Sequence, residues 1–246
     1  CPVSTSQDIR PHAIVIGAGF GGLAAAVRLG AKGYQVTVVD KLDGPGGRGY
    51  VFRQDGFTFD AGPTIITAPF VYEELWTLCG RQMSDDVTLH SLDPFYKIRF
   101  DDGTIFEATA DVDFMRAQIA RIEPKDVAGY DRFMKASKAI FDVAYTGLVD
   151  VPFHEVSLLL KSAPDLIRLG GYLSVYAKVA QFFTNENLRI AFSFHPLFIG
   201  GNPYSASAYY CLISYLEKTY GVHYAVGGTG ALANGMVKLI EGHGNT

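Results

Sequence analysis

Charge is scarce in this sequence, and an excess of either sign is scarcer. Asp, Glu, Lys and Arg make up 19% of 246 residues, and the formal net charge is −4. With no basic excess, nothing points to a nucleic-acid partner. Cysteine is also sparse. Cys1, Cys79 and Cys211 are odd in number and far apart, which argues against a disulfide framework or a zinc site and for free thiols in a reducing compartment. The Asp and Glu residues show no metal-ligand spacing, so no metal is expected. No signal peptide is recognisable, and no apolar run reaches the ~18 residues of a spanning helix. There is no internal repeat and no low-complexity tract. What remains is a chain that is 48% hydrophobic and 13% aromatic, enough for a sizeable core. Residue 1 is not Met, and the chain stops at EGHGNT just after a helical pattern. A portion of a longer protein is expected.

Residues 13–40 read AIVIGAGFGGLAAAVRLGAKGYQVTVVD. The apolar run Ala13–Ile16 has the composition of a buried strand. Gly17, Gly19 and Gly22 follow in G-x-G-x-x-G spacing, Leu23–Leu29 has helical composition, and Gln35–Val39 is a second strand ending at Asp40. In such a unit Gly17 permits the tight turn, Gly19 lets backbone approach a pyrophosphate, and Gly22 lets helix and strand pack closely. The helix N-terminus offers free N–H groups and the positive end of its dipole. Asp40, 23 positions after Gly17, stands where a carboxylate accepts from a ribose hydroxyl and disfavours a 2′-phosphate.

The next residues, KLDGPGGRGY over Lys41–Tyr50, favour FAD over NAD. Gly46 and Gly47 can bring N–H groups to an anion, and Arg48 can donate in a bidentate fork. Asp55-Gly56 lies between two aromatic and β-branched runs and predicts a hairpin. The segment Phe59–Thr64 then leaves the strand. Gly62 there suits either close approach to a flat ring or a plain strand exit. The full expected cofactor set is Gly17, Gly19, Gly22, Asp40, Lys41, Gly46, Gly47, Arg48, Gly62, Pro63 and Thr64.

Further along, Asp102-Gly103 predicts a second hairpin. Asp111 suits the cap of a helix through Ile122, and Pro124 the first turn of another toward Tyr145. Residues 153–220 are mostly helical in pattern and unusually apolar. Within them Ser157–Phe183, with Lys161, Arg168 and Lys178 spaced among large apolar side chains, suits a helix lying in a bilayer interface or one packed inside a substrate domain. Residues 221–240 read as a strand, a glycine-rich turn and a helix: a second phosphate cradle, or a return into the nucleotide domain.

The string HPLFIGGNPY at residues 195–204 is too greasy for a water-exposed loop and too rich in glycine and proline for a helix. It suits the wall of a hydrophobic tunnel, with Phe194, Leu197 and Phe198 as apolar surface and Gly200, Gly201 and Asn202 at close backbone approach. An ordinary buried helix end is the alternative. His195 and Tyr204 are the catalytic candidates, since an imidazole or phenol can move a proton.

The segments GAGFGGLAAAVRLGAKG, DGPGGR and DGFTFDAGPTII resemble the FAD-dependent amine oxidase and carotenoid desaturase superfamily. SFHPLFIGGNPY and YGVHYAVGGTGALANGMVKLIE narrow the resemblance to the bacterial and fungal phytoene desaturases, from about Ala13 to the last residue. The resemblance implies an α/β fold: a Rossmann-like FAD-binding domain with an inserted, largely helical α+β substrate and membrane domain. Residues 1–70 and 221–246 would form the first, the latter incompletely, and 71–220 the second. It implies dehydrogenation of phytoene toward neurosporene or lycopene by hydride transfer to FAD, peripherally at the cytoplasmic face of a membrane, with quinone or oxygen as the final acceptor. That family is roughly twice as long as this chain. Two other readings stand beside it: a carotenoid cis-trans isomerase using reduced flavin, and a truncated FAD-binding chain without turnover of its own.

Overall fold

The computed structural model describes residues 10–145, 164–165 and 167–246. Cys1, and Lys161 with the first part of the amphipathic stretch, lie outside the described residues. The chain forms two units: Cys1–Ser91 with His223–Thr246, and Leu92–Val222. The second is thus inserted into the sequence of the first, and residues 71–91 belong to the first unit.

In the first unit, β1 (His12–Ile16) and β2 (Gln35–Val39) pair in parallel, His12 opposite Gln35 and Ile16 opposite Val39. Parallel pairing needs a crossover, and α1 (Phe20–Ala31) supplies it. Its buried residues Leu23, Ala26, Val27 and Gly30 recur at helical spacing, forming the stripe that meets the core. That core joins Leu23, Ala26, Val27 and Val36 to Trp76 of α2 (Pro69–Leu78) and to Met236, Leu239 and Ile240 of α8 (Thr229–Gly242). A Cβ at Gly235 would lie 2.6 Å from Val87 and 2.9 Å from the Trp76 ring, so a glycine is what lets α8 lie flush on the indole.

The expected hairpin forms as β3 (Val51–Gln54) and β4 (Phe57–Asp60). Its turn places Asp55 at φ 51° and Gly56 at φ 82°, the pair of positive φ angles that a tight two-residue hairpin requires. The strand near residue 221 returns as β9 (His223–Ala225), between β5 (Ile65–Ile66) and β6 (Leu89–Ser91) in an antiparallel sheet. The return into the nucleotide unit is therefore the observed arrangement.

One expectation is corrected. β1 is not buried on both faces: Val15 packs toward the core, while Ile14 is exposed and Ile16 is 88% exposed. Side chains alternate along a strand, and among the described residues only one face of the β1–β2 pair is covered. Thr246 lies beside β2, accepting from Val38 N–H and donating to Val36 C=O at 2.6 and 3.0 Å.

In the second unit β7 (Tyr96–Arg99) and β8 (Ile105–Ala108) form the other hairpin, its turn held by Thr104 N–H donating to Asp102 at 2.8 Å. Asp111 caps α3 (Val112–Ile122), accepting from Asp113 and Phe114 N–H. A 3₁₀ turn at Pro124 leads into α4 (Val127–Ala144). The chain continues through α5 (Val175–Val179), α6 (Glu186–Ser193), a 3₁₀ turn at His195–Ile199, and α7 (Leu212–Tyr220), which packs along α4. Phe183 and Phe192 stack at 4.6 Å, with Phe106 and Phe133 set edge-on against Phe192.

Within the amphipathic stretch, the described residues are not one continuous helix. Gly170 adopts φ 80°, a turn intervenes, and Ser174 starts α5 afresh by accepting from Ala177 N–H. Asp126, 1% exposed, joins the residues just after this stretch to α4. Its carboxylate accepts from Thr184 N–H, Thr184 O–H and Asn185 N–H at 2.8–2.9 Å. A buried carboxylate is tolerable when it is bonded in this way.

Two predictions follow from this packing. Asp126→Asn is expected to destabilise the protein by ~1.5–3 kcal/mol, the worth of hydrogen bonds to a charged group; a urea midpoint unchanged from wild type would contradict the assigned role. A Cβ at Gly22 would stand 1.8 Å from Gly17 O, whereas one at the neighbouring Gly21 meets nothing. Gly22→Ala should therefore cost at least ~1–3 kcal/mol, and Gly21→Ala should stabilise by up to ~1 kcal/mol. Denaturant unfolding of the two variants side by side checks the sign reversal.

Candidate dinucleotide site

The first site residues arise from the turn between β1 and α1. Gly17 takes φ 106°, a conformation that favours glycine, and its N–H donates to Val39 C=O at 2.7 Å, tying the turn to β2. Gly19 is the N-cap of α1. It offers no side chain to the helix N-terminus, and no acid occupies the first turn. The first amides of α1 thus stay available to an anion.

Asp40 closes the other side. Ala18 N–H donates to its Oδ2 at 2.6 Å, and Leu42 N–H to its Oδ1 at 2.8 Å. These main-chain bonds, Leu42's first, hold its carboxyl below the ordinary carboxylate range. Each oxygen keeps a further lone pair, and the group is exposed, so a sugar hydroxyl can still donate to it.

The second glycine loop lies on the first. Gly46 N–H donates to Ala18 C=O at 2.8 Å, and Gly46 and Gly19 form a parallel bridge. Gly46 and Gly47 have φ 120° and 57°, and a Cβ on Gly47 would be 2.9 Å from the Gly19 Cα. Two motifs that sequence spacing treated separately therefore form one cradle, which a methyl group at Gly47 would fill. The cradle fits a pyrophosphate flanked by a ribose. Arg48 is exposed and makes no ion pair among the described residues. With Leu42, Gly47, Tyr50, Phe52, Ala61 and Gly62 it lines a cleft of about 630 Å³.

Of the remaining expected residues, Lys41 and Thr64 are exposed, and Pro63 C=O accepts from Thr229 O–H at 2.6 Å. Gly62 has a local reason to be glycine: its Cβ would stand 2.3 Å from Arg48 C=O. Asp60 was not anticipated. Its carboxylate lies against Gly228, the N-cap of α8, with Oδ1 buried and without a partner. Nothing in the sequence marks it, because Asp60 and Gly228 meet only through the return of the chain.

The other group of expected residues belongs to the second unit. Leu197, Phe198 and Ile199 are exposed, and Phe194 is partly buried. Gly200 is left-handed at φ 72°, ending the 3₁₀ turn, and Asn202 accepts from Tyr204 N–H at 2.9 Å. Gly201 N–H donates to Pro196 C=O at 2.8 Å. Tyr204 is exposed, its ring 4.6 Å from that of Tyr176. His195 is 2% exposed and sits between Tyr96 O–H and Glu217. Burial first, then Glu217, drives the Tyr96 phenol well above its usual range, so it keeps its proton and donates to Glu217 at 3.0 Å. Tyr96 and Glu217, 99 and 22 residues from His195, carried no sequence signal. Cys211 is free, and burial pushes its thiol up to about 12, which leaves it unreactive.

Residues 20–245 match the family described as flavin containing amine oxidoreductase. The chain is 48% identical over 244 residues to a neurosporene-forming phytoene desaturase of Cereibacter sphaeroides, covering 99% of this chain and 47% of that protein. It is also 48% identical over 227 residues to a lycopene-forming phytoene desaturase of Pantoea ananas, covering 92% and 46%. The chain thus spans about half the length of the curated relatives it matches. Among solved structures, a triple mutant of putrescine oxidase superposes with a TM-score of 0.57 at 19% identity, over 95% of this chain and 50% of that one, a likeness of fold. On the match across residues 20–245, this chain belongs to the flavin-containing amine oxidoreductase family, and its cofactor is FAD.

Proposed function

We propose that the protein carrying this chain desaturates phytoene, with neurosporene or lycopene as the product. The observation that carries this reading is the 48% identity, over nearly the whole chain, to enzymes named for that reaction. The chemistry is consistent with it. Phytoene has no ionisable group and no carbonyl, so an electron sink is needed that no side chain supplies; FAD, when bound, supplies it. The chain's own part is to hold the diphosphate on the Gly17–Gly22 and Gly46–Gly47 backbone, to orient the ribose through Asp40, and to offer apolar surface through Leu197, Phe198 and Ile199. The substrate is carried by lipid, and the peripheral docking of the protein on a membrane belongs to the same proposal. No helix among the described residues is long and apolar enough to cross a membrane. Quinone or oxygen is proposed as the final electron acceptor.

The test uses the full gene product, with the 246-residue chain beside it, mixed with FAD and phytoene in liposomes. Carotenoids of longer conjugation are expected from the full product, and their spectrum counts the steps. Flavin binding with phytoene untouched sinks the substrate assignment. Altered double-bond geometry at constant hydrogen content moves the reading to an isomerase.

A second expectation concerns Asp40. Asp40→Asn should weaken FAD binding ~10-fold or more, since it loses a charged acceptor for the ribose. Because the carboxyl is held below its usual value, its contribution is present above that value and lost only as the pH falls through the lowered one. FAD affinity should therefore stay level between about pH 7 and pH 5. Fluorescence titration of the full product checks both points.

A further inference from the structure

The second unit contains a polar cluster that neither the fold nor the proposed chemistry requires. Glu217 is 3% exposed. Its Oε2 accepts from Tyr96 O–H at 3.0 Å and lies 3.3 Å from His195 Nε2, while Tyr96 O–H and His195 Nε2 are 3.2 Å apart. Glu217 Oε1 and His195 Nδ1 are buried without partners. Taking such groups from water is costly when they are only partly bonded, and an apolar trio of similar volume would pack at lower cost. What the cluster provides is a fixed geometry among three elements: β7 through Tyr96, the 3₁₀ turn through His195, and α7 through Glu217.

The 3₁₀ turn is the element with most to gain. It begins at His195 and closes through Gly200 N–H to Leu197 C=O and Gly201 N–H to Pro196 C=O, at 3.0 and 2.8 Å. Aromatic edges continue outward from the cluster: Tyr96 against Phe194 at 5.1 Å, then Phe194 against Phe198 at 5.2 Å. At the far end Leu197, Phe198 and Ile199 stand exposed, Ile199 by 67%. The turn is thus anchored by its most buried polar side chain and presents its most apolar ones.

We propose that Glu217, acting through His195 and Tyr96, is a positioning residue that holds the Leu197–Ile199 tip in place for an apolar substrate. The substrate half of this statement rests on the polyene reading above. The tip is presented ready-formed, so ordering it takes nothing from the binding free energy.

The experiment compares Glu217→Leu, Glu217→Gln and wild type in the full, FAD-loaded gene product. Gln keeps the shape and an acceptor for Tyr96; Leu keeps neither hydrogen bond. For Glu217→Leu, hydrogen exchange at the Gly200 and Gly201 amides is expected to quicken ~10-fold. KM for phytoene in liposomes should rise ~10-fold with kcat within ~2-fold of wild type, and FAD affinity should not change. Glu217→Gln should stay near wild type in all of these. A folded Glu217→Leu protein with wild-type exchange and KM overturns the proposal. So does a parallel loss of KM, kcat and FAD affinity in both variants, which would mean general damage to the core. If wild type leaves phytoene unconverted, the functional reading fails by itself, and the exchange measurement alone decides whether Glu217 orders the tip. If Glu217→Leu does not fold, Tyr96→Phe removes one donor and keeps the ring on Phe194. Exchange at the same amides should then quicken ~3-fold, and an unchanged rate overturns the proposal.

Discussion

The nucleotide unit depends on backbone meeting backbone at distances that no side chain permits. Gly22 faces Gly17 C=O, and Gly47 faces Gly19, each so closely that a methyl group would collide. These contacts set how near α1 lies to β1 and how near the second glycine loop lies to the first. The anion-binding character follows from the same geometry. A helix N-terminus with no capping side chain keeps its amides open, and the loop at Gly46 adds a second backbone wall. Asp40 is placed by two main-chain donors before any ligand arrives, so its orientation costs nothing at the moment of binding.

Among the described residues, the strand pair that carries this cradle is covered on one face. Parallel strands are generally covered on both faces. Here Val15 and Val38 pack inward while Ile14, Ile16 and Val39 are exposed. The three-stranded sheet of β5, β9 and β6 and the helices α1, α2 and α8 supply the core on the other side. Large β-branched side chains exposed in this way are costly in water.

The inserted unit solves a different problem. Its core is aromatic, built on Phe106, Phe133, Phe183 and Phe192. Two of its junctions rest on buried carboxylates. Asp126 is fully bonded and joins α4 to the start of α6. Glu217 is incompletely bonded and anchors the turn at His195. Full satisfaction at one and partial satisfaction at the other separates a junction explained by stability from one that points to function.

Much of this was legible in the sequence because its causes are local. G-x-G-x-x-G between two apolar runs, Asp55-Gly56 and Asp102-Gly103 in hairpin turns, and Asp111 at a helix start act through their immediate neighbours, and the structure has each of them in place. The sequence by itself therefore determined the βαβ unit, both hairpins and the candidate cofactor loop. Tertiary structure alone decided the rest. It stacked Gly47 on Gly19, laid Asp60 against Gly228, exposed Ile14 and Ile16, interrupted the amphipathic stretch at Gly170, and gathered Tyr96, His195 and Glu217 from three elements. Those outcomes depend on which surfaces meet between segments well separated in sequence, and neither periodicity nor turn chemistry extends that far.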